Sequence, residues 1–126
     1  MSLGFRACRD EDVAAVIALW KACDILRSHH DPQREVAFVR EAANGELFLA
    51  FTEERLVGSV IVGHDSHRAW MYRVAVDPAL RGRGHGRALV ARAEAWAIAR
   101  PNNSPIGELT GRHRGGNGYA VELVET

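Results

Sequence analysis

Apolar residues recur along this chain with two different periods. Val13, Val16, Ile17, Trp20 and Cys23 fall three and four positions apart, the spacing that lines one face of a helix. Just before them, Arg9-Asp10-Glu11-Asp12 offers a cap and first-turn carboxylates that favour a helix start. Phe5-Arg6-Ala7-Cys8 reads as a short strand ahead of that helix. Pro32 suits the opening position of a second helix, which the pattern carries to about Ala43 before Asn44-Gly45 stops it. Leu47-Phe48-Leu49-Ala50-Phe51 is continuously apolar and aromatic, which predicts a buried strand. Glu53-Glu54-Arg55 predicts its turn, and Leu56 to Gly63 the returning strand, with Gly58 and Gly63 where a bulge or close backbone approach is tolerated. The run Ala69 to Val76 adds another strand. Asp77-Pro78 ends it, because proline lacks a ladder donor and biases the residue before it away from helix. From Gly86 to Arg100 alanine and arginine dominate, with Leu89, Val90, Ala93, Trp96 and Ala97 near one face, and Pro101 closes this third helix. The sum is an α/β (α+β) chain whose mainly antiparallel strand meander is flanked by helices.

At 126 residues the chain suits a single domain, residues 1–126, with one core. Sixteen basic and sixteen acidic side chains cancel, so no global field draws the protein to nucleic acid or an anionic membrane, and neither partner is expected. Any phosphate binding must be local. Cys8 and Cys23 are the only cysteines and no secretory pattern opens the chain, so reduced thiols and a cytoplasmic location are expected. Apolar runs fall well short of the roughly twenty residues that span a bilayer. His29 and His30 beside Asp31 invite a metal reading, but adjacent residues rarely converge on one ion, so no metal is expected.

The densest chemistry lies in Arg81-Gly82-Arg83-Gly84-His85-Gly86, between the strand Tyr72 to Val76 and the third helix. Residues without a Cβ let the backbone approach a ligand and turn its N–H groups toward it, while a helix N-terminus adds partial positive charge. Arg81, Arg83 and Arg87 supply charge-assisted donors for phosphate oxygens. Neither the Walker nor the dinucleotide spacing fits these alternating glycines, and taken alone the loop also suits a plain basic turn.

The run Val74-Ala75-Val76-Asp77-Pro78-Ala79-Leu80-Arg81-Gly82-Arg83-Gly84-His85-Gly86-Arg87-Ala88-Leu89 resembles the signature of the GNAT N-acetyltransferases: a V-A-V strand, a step near a proline, Q/R-x-x-G-x-G/A and an apolar helix. Two early helices and a hairpin with glycine in Val57-Gly58-Ser59-Val60 follow the same family order, so about the first hundred residues are covered. Gly63 to Trp70 leading into Met71-Tyr72-Arg73 is similar to small bacterial acetyltransferases. The resemblance implies a GNAT-like mixed sheet and an acetyl-CoA-dependent transfer to an amine, on a small molecule, a protein N-terminus or a lysine. It implies that backbone of Val74, Ala75 and Val76 holds the pantetheine arm, and that Arg81, Gly82, Arg83, Gly84, His85, Gly86 and Arg87 hold the pyrophosphate. A strand N–H would polarise the thioester carbonyl, next to a bulge that splays two strands. No fixed base follows; Tyr72, His67 and Glu108 are candidates.

The last quarter departs from the family pattern. Pro101 to Gly116, where the family has an apolar strand parallel to its neighbour, has few apolar residues. Family members then carry a helix whose tyrosine protonates the leaving thiolate. Asn117 to Glu125 aligns with that helix at more positions, placing Val124 where the tyrosine stands; the other alignment makes Tyr119 the start of a final strand. With no closing strands after Thr126, an open sheet edge and a homodimer that covers it are expected. The alternative to an active enzyme is an acyl-CoA-binding module with impaired catalysis, acting as a sensor or interaction domain.

Overall fold

The computed structural model describes residues 3–64, 69–99, 113–114 and 120–123, the last two pieces by their backbone. Its elements run β1 (Gly4–Ala7), α1 (Val13–Ala22), α2 (Pro32–Glu41), β2 (Gly45–Thr52), β3 (Arg55–His64), β4 (Ala69–Val76), α3 (His85–Ile98), β5 (His113–Arg114) and β6 (Ala120–Leu123). The strands form one sheet in the order β1-β2-β3-β4-β6-β5. β1 to β4 are antiparallel to their neighbours, β6 runs parallel to β4, and β5 pairs antiparallel with β6. The mixed, mainly antiparallel sheet flanked by helices is the expected α/β fold.

Side-chain alternation sorts the core to the two sheet faces. Leu47 and Leu49 of β2 join Val16, Leu19 and Trp20 of α1 and Val36 and Val39 of α2. Phe48 and Ala50 join Leu89, Ala93, Trp96 and Ala97 of α3. β4 would break this order if it were regular, since Ala69 and Met71 lie in the α3 cluster whereas Ala75 lies with α1 and α2. An extra residue repairs the phase. Ser59 pairs with Ala75 and Ile61 with Tyr72, so two steps on β3 face three on β4, and Arg73 takes a positive φ of 54°. Past this bulge Val74 and Val76 pack on the α3 cluster.

Arg73 is almost wholly buried. Its guanidinium forms a two-pronged ion pair with Glu35 of α2, Nε to Oε2 at 2.7 Å and Nη2 to Oε1 at 2.9 Å, and Nη1 donates to the Ile25 carbonyl at 2.6 Å. The guanidinium carbon sits 5.1 Å from the centre of the Trp20 ring. Trp20 Nε1 donates to Ser59 Oγ at 2.9 Å, and that hydroxyl donates to the Arg73 carbonyl at 2.9 Å. Every charge and polar group at the bulge thus has a partner, without which its burial would be costly.

Several local expectations shift. A 3₁₀ turn at Asp10–Asp12 precedes α1, and the Asp12 carboxylate accepts from Arg6 Nη1 at 2.5 Å, Arg6 Nη2 at 3.0 Å and the Arg9 amide at 2.9 Å. α2 stops at Glu41, short of Ala43, and the Asn44 side chain instead donates to the His64 carbonyl at 2.8 Å. The hairpin turn is two residues, Glu53-Glu54, both at positive φ, because Arg55 already pairs with Thr52. The larger correction is in the tail: the helix read across Asn117 to Glu125 is contradicted by strand β6, which pairs Ala69 with Val121, Trp70 with Glu122 and Met71 with Leu123. Val121, Glu122 and Leu123 gain ladder partners in β4, and Ala120 one in β5, that an isolated terminal turn would lack. The neighbour parallel to β4 is therefore built from 120–123 rather than from within 101–116. Tyr119 and Val124 themselves lie outside the described residues.

No helix among the described residues is long and apolar enough to cross a membrane, and no group of three or more His, Cys, Asp or Glu side chains gathers there to hold a metal ion. A Cβ on Gly58 would stand 2.4 Å from the Ala75 carbonyl oxygen and 2.8 Å from Leu89 Cδ1. Gly58→Ala is expected to destabilise the fold by about 1–3 kcal/mol, read as a lower urea midpoint at unchanged slope.

Candidate functional site

The chain after β4 is shaped by its polar contacts into a turn, a loop and a helix start. The Asp77 amide donates to the Val57 carbonyl at 2.8 Å, and its carboxylate accepts from the Ala79 amide at 2.9 Å and from Arg55 Nη2 at 3.2 Å. The Ala79 bond above all, with Arg55 helping, holds the Asp77 carboxyl below the usual carboxylate range. A 3₁₀ turn at Pro78–Leu80 then delivers the loop. Gly82 at φ 81° and Gly84 at φ 84° occupy left-handed backbone that residues with a Cβ rarely adopt. A Cβ on either would meet nothing within 4 Å. Packing therefore does not demand glycine at these positions; the backbone conformation does. Gly84 is also the N-cap of α3 and no side chain caps it, so the positive end of that helix faces the surroundings of the loop.

A cleft of about 390 Å³ opens between the end of β4, the loop and the C-terminal end of α1. Val74, Ala75 and Val76 line one side, and Arg81, Gly82, Gly84, His85 and Gly86 line the other. Arg83 and Arg87, singled out with them, are exposed and do not line it. Arg81 turns partly back, its Nε donating to the Val76 carbonyl at 3.3 Å. Cys23 and Ile25 complete the wall. Ile25 lies in the helix-linking stretch Asp24 to Pro32, which the sequence marks as able to face a substrate, whereas Cys23 read only as part of the apolar face of α1, because it meets the cleft through a contact 53 residues away, its Sγ donating to the Val76 carbonyl at 3.3 Å. Asp24, at φ 58°, ends α1 in the left-handed manner and turns Ile25 back toward the Trp20 carbonyl.

Tyr72 lies beside the cleft, half-buried against the α1 and α2 cluster, and does not line the cavity. Burial first, and the charge of Glu35 second, push its phenol pKa up, while Arg73 opposes them. The phenol stays protonated at neutral pH. His67 and Glu108 lie outside the described residues.

The sequence profile of the acetyltransferase (GNAT) family matches residues 13–125. The chain belongs to the GNAT family of acetyltransferases, a family of transferase enzymes. An acetyltransferase of Pectobacterium atrosepticum is 39% identical over 95 residues, covering 75% of this chain and 67% of that protein. One from Yersinia enterocolitica is 41% identical over 96 residues with the same coverage. The chain thus matches about two thirds of the length of these relatives. The PaiA N-acetyltransferase of Thermoplasma acidophilum, solved in complex with coenzyme A, shares the fold at a TM-score of 0.59 and 17% identity, over 76% of this chain and 72% of that one.

The two thiols differ in their surroundings. Cys8 is buried, and desolvation chiefly pushes its pKa up to about 11. At pH 8 only roughly one Cys8 in a thousand is therefore thiolate. A chromogenic disulfide such as DTNB is expected to modify Cys23 in the folded protein and to reach Cys8 only once denaturant is added, with labelled sites identified by peptide mass mapping.

Proposed function

We propose that this GNAT chain acts as one domain that binds acetyl-CoA in the cleft between β4 and α3 and transfers the acetyl group directly to a primary amine. One observation carries the reading. Two left-handed glycines with open space above them stand at the uncapped start of a 14-residue helix, in the same cleft as the main chain of Val74 to Val76. Such a cradle offers N–H donors and helix-end charge to an anion that no side chain of the cleft supplies. In this reading the amides of Arg81 to Gly86 hold the pyrophosphate, with Arg81, Arg83 and Arg87 as cationic donors around it. The strand backbone of Val74, Ala75 and Val76 holds the pantetheine arm.

Acetyl-CoA supplies the activated acetyl group as a thioester. The nitrogen of a neutral amine forms the new C–N bond as the C–S bond breaks; the amine sheds a proton and the departing thiolate takes one up. A strand N–H aimed at the carbonyl oxygen stabilises the charge that gathers there. Among the described residues lining the cleft there is no carboxylate, which supports water as the acceptor of the amine proton and positioning as the main source of rate. The acceptor is a small-molecule amine, a protein N-terminus or a lysine.

The test is thiol release from acetyl-CoA in the presence of a panel of amines. Release with at least one amine supports the transferase, whereas coenzyme binding without release from any of them supports a binding module. Gly84→Val puts a Cβ where φ is 84° without any clash in the fold. Its coenzyme affinity is expected to fall tenfold or more, about 1.4 kcal/mol, while the strain of a β-branched residue at positive φ lowers the melting temperature of the free protein by several degrees without preventing folding. Coenzyme A is also expected to slow modification of Cys23, which lines the cleft.

A further inference from the structure

The ion pair between Glu35 and Arg73 sits beside the cleft rather than in it, and GNAT membership does not assign it a role. Arg73 ties two parts of the cleft lining together. Its backbone is the bulge after which β4 presents Val74 to Val76 to the cleft, and its guanidinium grips the carbonyl of Ile25, which also lines it. Glu35 holds that guanidinium through two oxygens, and Ser59, itself held by Trp20, fastens the bulge carbonyl. Three anchors, from the turn after α1, from α2 and from β3, thus converge on one residue in an unfavourable backbone conformation. A buried, charged residue is an unusual means of filling space, since an apolar side chain would fill the same volume without desolvating a charge. A bidentate pair does fix direction, which apolar contact does not.

We infer that Glu35 and Arg73 are positioning residues for acetyl transfer: the pair, with Ser59, sets the orientation of the Val74–Val76 main chain toward the thioester carbonyl while leaving the pyrophosphate loop untouched. This rests on the acetyl-transfer reading above. The separation is possible because the loop from Arg81 to Gly86 takes none of its hydrogen bonds from Glu35, Arg73 or Ser59 among the described contacts. Affinity for the coenzyme and polarisation of its carbonyl then answer to different residues.

The experiment reads the two separately on the full chain. Difference infrared spectroscopy follows the carbonyl stretch of bound acetyl-CoA labelled with carbon-13 at the carbonyl, and calorimetry gives the Kd of coenzyme A without the acetyl group. In the unmutated protein the stretch is expected below its value in free solution. In Glu35→Gln it is expected to return most of the way to the free value, with the Kd for coenzyme A within about threefold of the starting protein. Ser59→Ala, which leaves the ion pair in place and removes the bulge-carbonyl bond together with the acceptor of the Trp20 indole, is expected to shift the stretch the same way by a lesser amount, which keeps the test valid if Glu35→Gln does not fold. Glu35→Asp is expected to recover part of the shift. A stretch unchanged in Ser59→Ala and in folded Glu35→Gln overturns the inference, as does a Kd that weakens in step with the stretch, which is the mark of general loosening. Failure of the unmutated protein to bind acetyl-CoA overturns the acetyl-transfer reading and takes this inference with it.

Discussion

One additional residue in β4 governs how this molecule is assembled. A strand of strict period two shows each helix layer every second side chain, and β4 cannot satisfy both layers that way, because Met71 belongs with α3 and Ala75 with α1 and α2. Inserting Arg73 at positive φ exchanges the faces midway along the strand. The cost of that backbone conformation, on the order of 1–2 kcal/mol, is offset by a guanidinium that meets Glu35, Ile25 and Trp20 together. Removing one charge of such a pair leaves the other buried and unpaired, which is why the arrangement behaves as a unit.

From this exchange the geometry of the cleft follows. Upstream of the bulge β4 is held on both sides, by β3 and by the three described pairs with β6. Downstream, Val74 to Val76 border open space, and the chain leaves them through the Asp77 turn into two left-handed glycines and the start of α3. Close packing elsewhere keeps these parts in place: Gly58 lets β3 approach β4 and Leu89 so tightly that no Cβ fits. The concave region is thus a product of strand geometry and needs no separate domain or insertion to form it.

Much of this was legible in the residues themselves. The limits of β4 follow from Ala69 to Val76 and the Asp77-Pro78 stop, and the alternating glycines before an apolar helix mark the loop by local chemistry alone. The resemblance implied a bulge beside Val74 to Val76, but the residues alone do not place it, since Ala69 to Val76 is apolar apart from Arg73 and a charged residue there resembles a solvent-facing position. Cys23 was missed because its place in the cleft depends on a contact far along the chain. The tail misled for a different reason: Ala120-Val121-Glu122-Leu123 is short enough to match a helix pattern, yet its alternation equally suits a strand, and a tertiary partner in β4 decides.

The tip of the central hairpin has a consequence of its own. Two-residue hairpin loops of this hand favour asparagine and glycine, yet here two glutamates adopt positive φ side by side, their negative charges adjacent and exposed. The β2–β3 ladder, the longest in the sheet and buried on both faces, evidently tolerates that burden. Stability has been left unclaimed at this tip, so mutational drift or deliberate redesign has room there to compensate for harmful changes elsewhere.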